Sequence, residues 1–536
     1  MKKFMILISS LLIFNINAVN AEEIISNEED NTTISEVKYV AKVNDKNYET
    51  LEEAISNAEY NDVITLLEDT AGSFKITKGI TIDLNKHSIN GDNKNSIFDI
   101  DLEDGILEIK NGTLGNNTIS LDGGSVIIKN GSLKIDNVKF ENNNAKNGGA
   151  IKVSGGQIEI SNCTFNNNKA TTGSGGAIQV AADYNNSVVE ISNSKFNKNS
   201  SKGNGGAISV SSNNKNNNAN LVINNGNTFD SNEAGIYGGA IHTSGSNTSF
   251  QVDGSKFINN KANAGGAIYN IKNTLDEKVV FNNSTFIGNE AKTIAGAIYS
   301  RTTKNEIVEI NGCTIKNNKA NLGGGIYLDS TNAGSMNVTI DSIIYDNSAK
   351  NAADDIYTSN RGNITITLPN VTNYDNAKLN CDDIIDGWYI DIKGSRWNAH
   401  GEEVNVNKVN EITLTGSNSL KAAHDGFGKV LVKYVDKDGK SLSEDITLNG
   451  KYNTEYVTEE KEFQYYELVD VKGNKTGKFS NELNEVTYIY EYVGGTGGDD
   501  PEFPKTGIED NNIIEIMSIV SLLALGTVVV LKKKLI

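Results

Sequence analysis

Apolar residues in this chain recur in short alternating runs, such as Ile158-Glu159-Ile160, Val189-Glu190-Ile191 and Val308-Glu309-Ile310, separated by Gly and Asn. Alternation with period two marks strands, not helices. The runs sit inside a larger period. A Gly-Gly-Ala-Ile element ends on Ile151, Ile178, Ile208, Ile241 and Ile268, and in degraded form on Ile298, Ile326 and Ile356, at intervals of 27 to 33 residues. Before each lies an F-x-x-N element: Phe140/Asn143, Phe165/Asn168, Phe196/Asn199, Phe229/Asn232, Phe257/Asn260 and Phe286/Asn289, with Ile315/Asn318 and Ile344/Asn347 in the last two copies. Units of this size, each holding several short strands, bury an apolar side only against their neighbours, which predicts an all-β, right-handed parallel β-helix. A propeller blade needs longer units, and leucine-rich repeats need a Leu framework that is absent.

Stacking gives the repeated residues physical jobs. Equivalent side chains fall ~4.8 Å apart, so the Ile and Phe positions predict apolar ladders, and the Asn of F-x-x-N predicts a polar ladder whose amides bond from coil to coil. Gly-Gly permits a corner that a Cβ would block. Cys163 and Cys313 stand two residues before Phe165 and Ile315, five coils apart, too far for a disulfide, so both should be free and packed as small apolar groups. Asp354-Asp355 replaces Gly-Gly in the last copy and reads as a solvated corner. The residue after the inward Ile is Tyr269, Tyr299, Tyr327 and Tyr357 in four consecutive copies. Alternation turns it outward. These four are the candidate ligand-binding residues, a stripe able to stack on sugar rings or pack against a host protein; the alternative is that they stack on one another.

The flanks differ. Residues 50–58 offer a Thr N-cap, Glu53 three residues on and an apolar face of Leu51, Ala54, Ile55 and Ala58, predicting a helix that shields the first coil. Residues 36–130 are read as this cap and the first coils, 131–360 as the repeats, and 361–424, which carry Trp388 and Trp397, as a distal cap or extension. Residues 425–493 lose the Asn-Gly runs and gain Tyr; 494–502 form a flexible linker. Residues 1–21, with Lys2, Lys3, an apolar run and Ala21, read as a signal peptide.

Three resemblances follow from these motifs. The GGAI/FxxN stretch resembles the repeats of the chlamydial polymorphic outer membrane proteins, which implies a β-helical surface adhesin without naming a ligand. The segments Tyr434-Val435-Asp436-Lys437-Asp438-Gly439-Lys440 and Tyr466-Glu467-Leu468-Val469-Asp470, closing on Val486-Thr487-Tyr488-Ile489-Tyr490, look like the MucBP (mucin-binding) module, a small β-grasp-like domain. Gln464-Tyr465 stands where that family commonly has Pro-Gly. Phe503, Pro504, Lys505, Thr506 and Gly507, followed in 508–536 by an apolar stretch and three Lys, resemble an LPxTG-like sorting signal of Gram-positive wall proteins, with Phe503 in place of the usual Leu. That resemblance implies sortase as a partner, cutting between Thr506 and Gly507, and covalent attachment to peptidoglycan.

Charge narrows the partners. A formal charge of −19 repels nucleic acid. Three Cys exclude a disulfide scaffold, and the four His are too scattered for a zinc site, so neither metal nor cofactor is expected. Asp99-x-Asp101 and Asp436-x-Asp438 lack the rest of a calcium loop. Only three Arg are present and no carboxylate recurs as a pair, so no catalytic residues are assigned and no enzyme is expected. The reading is a secreted, wall-anchored adhesin of a Gram-positive bacterium that binds host mucin, glycan or matrix protein. The alternatives are a structural stalk without a specific ligand and a β-helical polysaccharide lyase or hydrolase.

Overall fold

The computed structural model describes residues 37–494, apart from 213–215, 246–247, 273–277, 303–305, 331–333, 340, 360–364, 370–386, 392–410, 424–426, 452–453 and 480–483. The chain divides into two compact units at Gly426/Phe427. The first is the expected parallel β-helix. In the repeats each coil supplies three strands to one continuous sheet and a short fourth to a separate eight-stranded sheet. The coil that starts at Ile151–Val153 continues through Gly156–Ser161, Thr164–Asn166 and Lys169–Ala170, and each of these pairs in parallel register with the next coil.

Register makes the ladders. Ile151 pairs with Ile178, Ile178 with Ile208 and Ile208 with Ile241, and the Phe rings from Phe140 to Phe286 stack in one column with centroids 4.6 to 4.8 Å apart. That spacing is the strand spacing itself, so each ring covers the next and all are fully buried. Beside the Phe column runs the Asn ladder. Asn168 donates from Nδ2 to Asn199 Oδ1 at 3.0 Å and to the Phe140 carbonyl at 2.9 Å, and its backbone N–H donates to the same Oδ1. The pattern repeats through Asn199, Asn232, Asn260, Asn289 and Asn318 to Asn347. A buried unpaired amide would cost ~1–3 kcal/mol; the ladder removes that cost in every coil.

Asn has a second use. Asn142, Asn167, Asn259 and Asn317, each one residue before the ladder Asn, have φ of 54° to 58°, and Asn137, Asn162, Asn193 and Asn283 turn another corner at 48° to 55°. Asn tolerates the left-handed region better than other residues with a Cβ. Of the paired glycines, the first takes positive φ, as in Gly175 at 70°, and the second lacks room: a Cβ on Gly176 would lie 2.0 Å from the Gly206 carbonyl oxygen.

Both ends of the stack are closed. Strand Ala41–Val43 pairs antiparallel with Lys46–Tyr48 and Val63–Leu66, and helix Leu51–Asn57, with Thr50 Oγ1 accepting from the Glu53 N–H, buries Leu51, Ala54 and Ile55 in the main core. At the far end Ile356–Thr358 and Thr365–Pro369 pair antiparallel with Asn418–Ala423 and Glu411–Thr415. Switching to antiparallel partners removes the template for another parallel coil. Trp388 lies on strand Gly387–Ile390 of this cap, while Trp397 and Cys381 lie outside the described residues.

The second unit has a four-stranded sheet in the order Ile446–Lys451, Phe427–Asp436, Asn484–Tyr492, Tyr466–Lys472, with the central pair parallel. Strands Glu455–Val457 and Thr476–Lys478 form a separate ribbon. Val430, Val432, Tyr434, Tyr456, Phe479, Val486, Tyr488 and Tyr490 make its own core.

Candidate functional site

The tyrosine stripe lies outside the main core, yet most of it is covered. Tyr269 and Tyr299 are 5% and 2% exposed, while Tyr327 and Tyr357 are half-buried. The expected open stripe is therefore corrected. Strands Lys261–Ala264 and Glu290–Ile294 carry a register irregularity between Ala262 and Ala264, and Ala264, Ile294 and Ala295 pack over the rings. The rings stack on one another, with centroids 4.1 Å apart from Tyr269 to Tyr299 and 5.5 Å on to Tyr327, and Tyr357 packs against Tyr327 at 4.8 Å, tilted by 39°. Tyr237 extends the column, 4.3 Å from Tyr269. It stands before a Gly-Gly rather than after the inward Ile, so the repeat position gave no sign of it.

The middle ring of the column, Tyr299, leads into a buried polar cluster. Tyr299 Oη donates to Asp329 Oδ2 at 2.9 Å, Arg301 Nε donates to the same oxygen at 3.0 Å, and Ser359 Oγ reaches Oδ1. Desolvation, the largest single influence, pushes Asp329 upward, but Ser359, Tyr299 and Arg301 outweigh it and hold the carboxyl below its usual range. Burial raises the Tyr299 phenol. His242, two coils before Tyr299, is pushed down to about 4 by burial and stays neutral between Tyr237 and Tyr269.

Carboxylates gather at one place, the distal cap. Asp354, Asp355 and Asp391 are 5%, 1% and 2% exposed. The solvated corner expected at Asp354-Asp355 is thus also corrected: Asp355 ends the Asn ladder, and Asp354 Oδ1 accepts the Ala349 N–H at 2.7 Å. Asp391 Oδ2 takes the Asp354 N–H, and Lys421 Nζ lies 3.6 Å from Asp354. These oxygens serve the backbone, and the arrangement is structural. Among the described residues no group of His, Cys, Asp and Glu is placed to hold a metal.

The C-terminal unit exposes its aromatic residues differently. On strand Asn484–Tyr492, alternate residues Tyr488, Tyr490 and Tyr492 share one face. The first two are buried and hydrogen-bonded, Tyr488 Oη to Thr458 Oγ1 and Tyr490 Oη to the Lys461 carbonyl, both at 2.8 Å. Tyr492 is 48% exposed. Tyr466 packs edge-on against it at 5.4 Å, and Tyr465 at 6.4 Å is 55% exposed. The turn that carries them closes with the Tyr466 N–H donating to the Phe463 carbonyl at 3.1 Å, and Tyr465 has φ of 68°. A left-handed conformation costs a residue with a Cβ about 1–2 kcal/mol, and a bulky aromatic side chain is rare there. Gln464-Tyr465, noted above as a departure from Pro-Gly, keeps a turn whose third position ordinarily belongs to glycine.

With this geometry in place, comparison with known proteins adds two kinds of match. Residues 429–491 match the MucBP domain, and residues 162–181 and 193–211 match the Chlamydia polymorphic membrane protein repeat. Internalin J of Listeria monocytogenes serovar 1/2a is 38% identical over 63 residues, 12% of this chain and 7% of that protein. Internalin J of Listeria monocytogenes serotype 4b is 36% identical over 84 residues, 16% of this chain and 9% of that protein. The chain thus spans under a tenth of the length of these relatives. Phe503, Pro504, Lys505, Thr506 and Gly507, and the apolar stretch after them, lie outside the described residues, as does the N-terminal segment 1–36. Among the described residues no helix is long and apolar enough to cross a membrane.

Proposed function

We propose that this chain is a surface adhesin of a Gram-positive bacterium, exported through residues 1–21, joined to peptidoglycan by sortase at Thr506, and binding host mucin through its C-terminal module. The observation that carries the reading is the match of residues 429–491 to the MucBP domain, in a unit with its own aromatic core and with tyrosines open to solvent. The repeat match and the likeness to Internalin J support placement on a bacterial surface. Cells displaying the full chain should be retained on immobilised mucin and lose retention when residues 427–494 are deleted; equal retention of both would reject the module as the binder. For the anchor, mass spectrometry of wall digests should find a peptide ending at Thr506 linked to a peptidoglycan amine, and an intact C-terminal tail would reject sorting.

A second reading is favoured by the burial of Tyr269 and Tyr299: the β-helix serves as a structural stalk with no ligand of its own. On this view Tyr327 and Tyr357 stabilise the coil edge. Replacing both by Ser should lower the melting point and leave adhesion unchanged, whereas lost adhesion at an unchanged melting point would return the column to ligand binding.

A further inference from the structure

The C-terminal module holds an exposed aromatic side chain in a backbone conformation that disfavours it. Glycine at 465 would relieve the turn, yet the position carries Tyr, with φ of 68° and 55% exposure. Strain retained where the side chain makes no core contact points to use of that side chain outside the fold. Its surroundings say what use. Tyr465, Tyr466 and Tyr492 form a cluster in which Tyr492 meets the other two rings at 59° and 69°. Among the described residues neither the Tyr465 nor the Tyr492 hydroxyl has a hydrogen-bond partner in the fold, unlike Tyr488 and Tyr490. The surface thus offers ring faces for apolar contact and free hydroxyls for polar groups at their rim.

Charge then selects among ligands. Residues 429–491 carry nine Lys against thirteen Asp and Glu, with no Arg. An acidic module lacking Arg is poorly suited to sialylated or sulfated chains, which ask for cations in bidentate geometry. An uncharged pyranose with one face of C–H groups, of the galactose type, meets both conditions: it lies flat on one ring while its edge and hydroxyls reach a second set at an angle.

We propose that Tyr465, Tyr466 and Tyr492 form a stacking platform for an uncharged, galactose-type sugar of mucin glycans. This rests on the adhesin reading above and names the sugar class it would take. The test uses the full chain displayed on cells, with desialylated mucin and fully sialylated mucin as surfaces and free galactose as competitor. Wild type should prefer the desialylated surface, and galactose should release it. Tyr465→Gly should raise the unfolding midpoint of the module, because the turn strain is gone, while cutting retention at least tenfold; Tyr492→Ala should also cut retention. Opposite movement of stability and binding in one variant separates a recognition role from a structural one. If wild type binds mucin and Tyr465→Gly binds equally well, or if sialylated mucin is preferred, the platform is refuted and the adhesin reading stands. If wild type binds neither surface, both fall.

Discussion

Asn347 donates from Nδ2 to Asp355 Oδ1 at 2.8 Å, eight residues along the same coil, while Asp355 Oδ2 accepts the Ala422 N–H at 2.7 Å from the distal cap. The contact resolves an asymmetry in the ladder. Every Asn donates toward the next coil and accepts from the previous one, so the aligned amides leave an unfilled acceptor at Asn143 and a donor at Asn347. An Asp suits the donor end because its Oδ1 accepts the N–H groups of Asn347 that a further Asn would otherwise have taken. Asp355, standing at the position before the inward Ile that Ala150, Ala177, Ala207, Ala240, Ala267 and Ala297 hold in other copies, converts the last repeat into a stop.

Replacing a mid-ladder Asn should be expensive. Asn260 accepts from the Asn232 side chain and backbone and donates to Asn289 Oδ1 and the Phe229 carbonyl. Asn260→Leu would strand several of these groups in a fully buried column, at ~1–3 kcal/mol for each one left unpaired. Denaturant unfolding should show a loss of about 3 kcal/mol or more, and a change below 1 kcal/mol would mean the ladder is not a principal source of stability.

Ala295 should be improvable. It occupies the position of the first Gly of the pair, with φ of 58° where Gly175 and Gly205 have 70° and 64°. Ala295→Gly relieves a left-handed Ala and should stabilise by roughly 0.5–1 kcal/mol, after the entropy that Gly loses on folding is subtracted. Scanning calorimetry would detect the rise; a fall would show that packing of the Ala295 methyl over the tyrosine column outweighs the strain.

These cases show what could be read from the sequence and what could not. Phe165, Asn168 and Ile178 each repeat at one spacing, so stacking alone fixes their neighbours, and the ladders and free cysteines follow. Alternation puts Tyr269 and Tyr299 outside the main core, but their cover comes from Ala264 and Ile294, through a register irregularity that a two-residue alternation does not encode. Asp355 looked solvated because its partner Ala422 lies 67 residues away in a segment without the repeat. Tyr465 left a trace: a turn that ordinarily takes Pro-Gly carried neither residue.

Cys163 and Cys313 should resist thiol reagents in the native protein. Both are free and buried, and burial pushes each thiol up to about 12, so almost no thiolate exists at pH 8. Alkylation followed by peptide mass mapping should leave both unlabelled until denaturant is added. Rapid native labelling of Cys313 would show that the coils around it open readily.

The distal cap should lose stability as pH rises toward neutrality. Desolvation pushes Asp355 up to about 7, against the Asn347 and Ala422 donors and the Lys421 charge, while an Asp in the unfolded chain titrates near the ordinary 3.8. The native state therefore holds a proton that the unfolded state has released between these values. The stabilisation is complete below about pH 4 and is lost as pH climbs through about 7. Asp391, raised by desolvation beside the same Lys421, works in the same direction, whereas Asp329, held low by Ser359, Tyr299 and Arg301, works in the opposite one at acid pH. Asp355→Asn isolates the effect, since its amide oxygen can still accept from Asn347 but cannot titrate. Melting curves at pH 5 and pH 8 should show wild type losing several degrees relative to the variant at the higher pH. Parallel pH profiles for the two proteins would mean that Asp355 stays ionised throughout, held so by its three N–H donors.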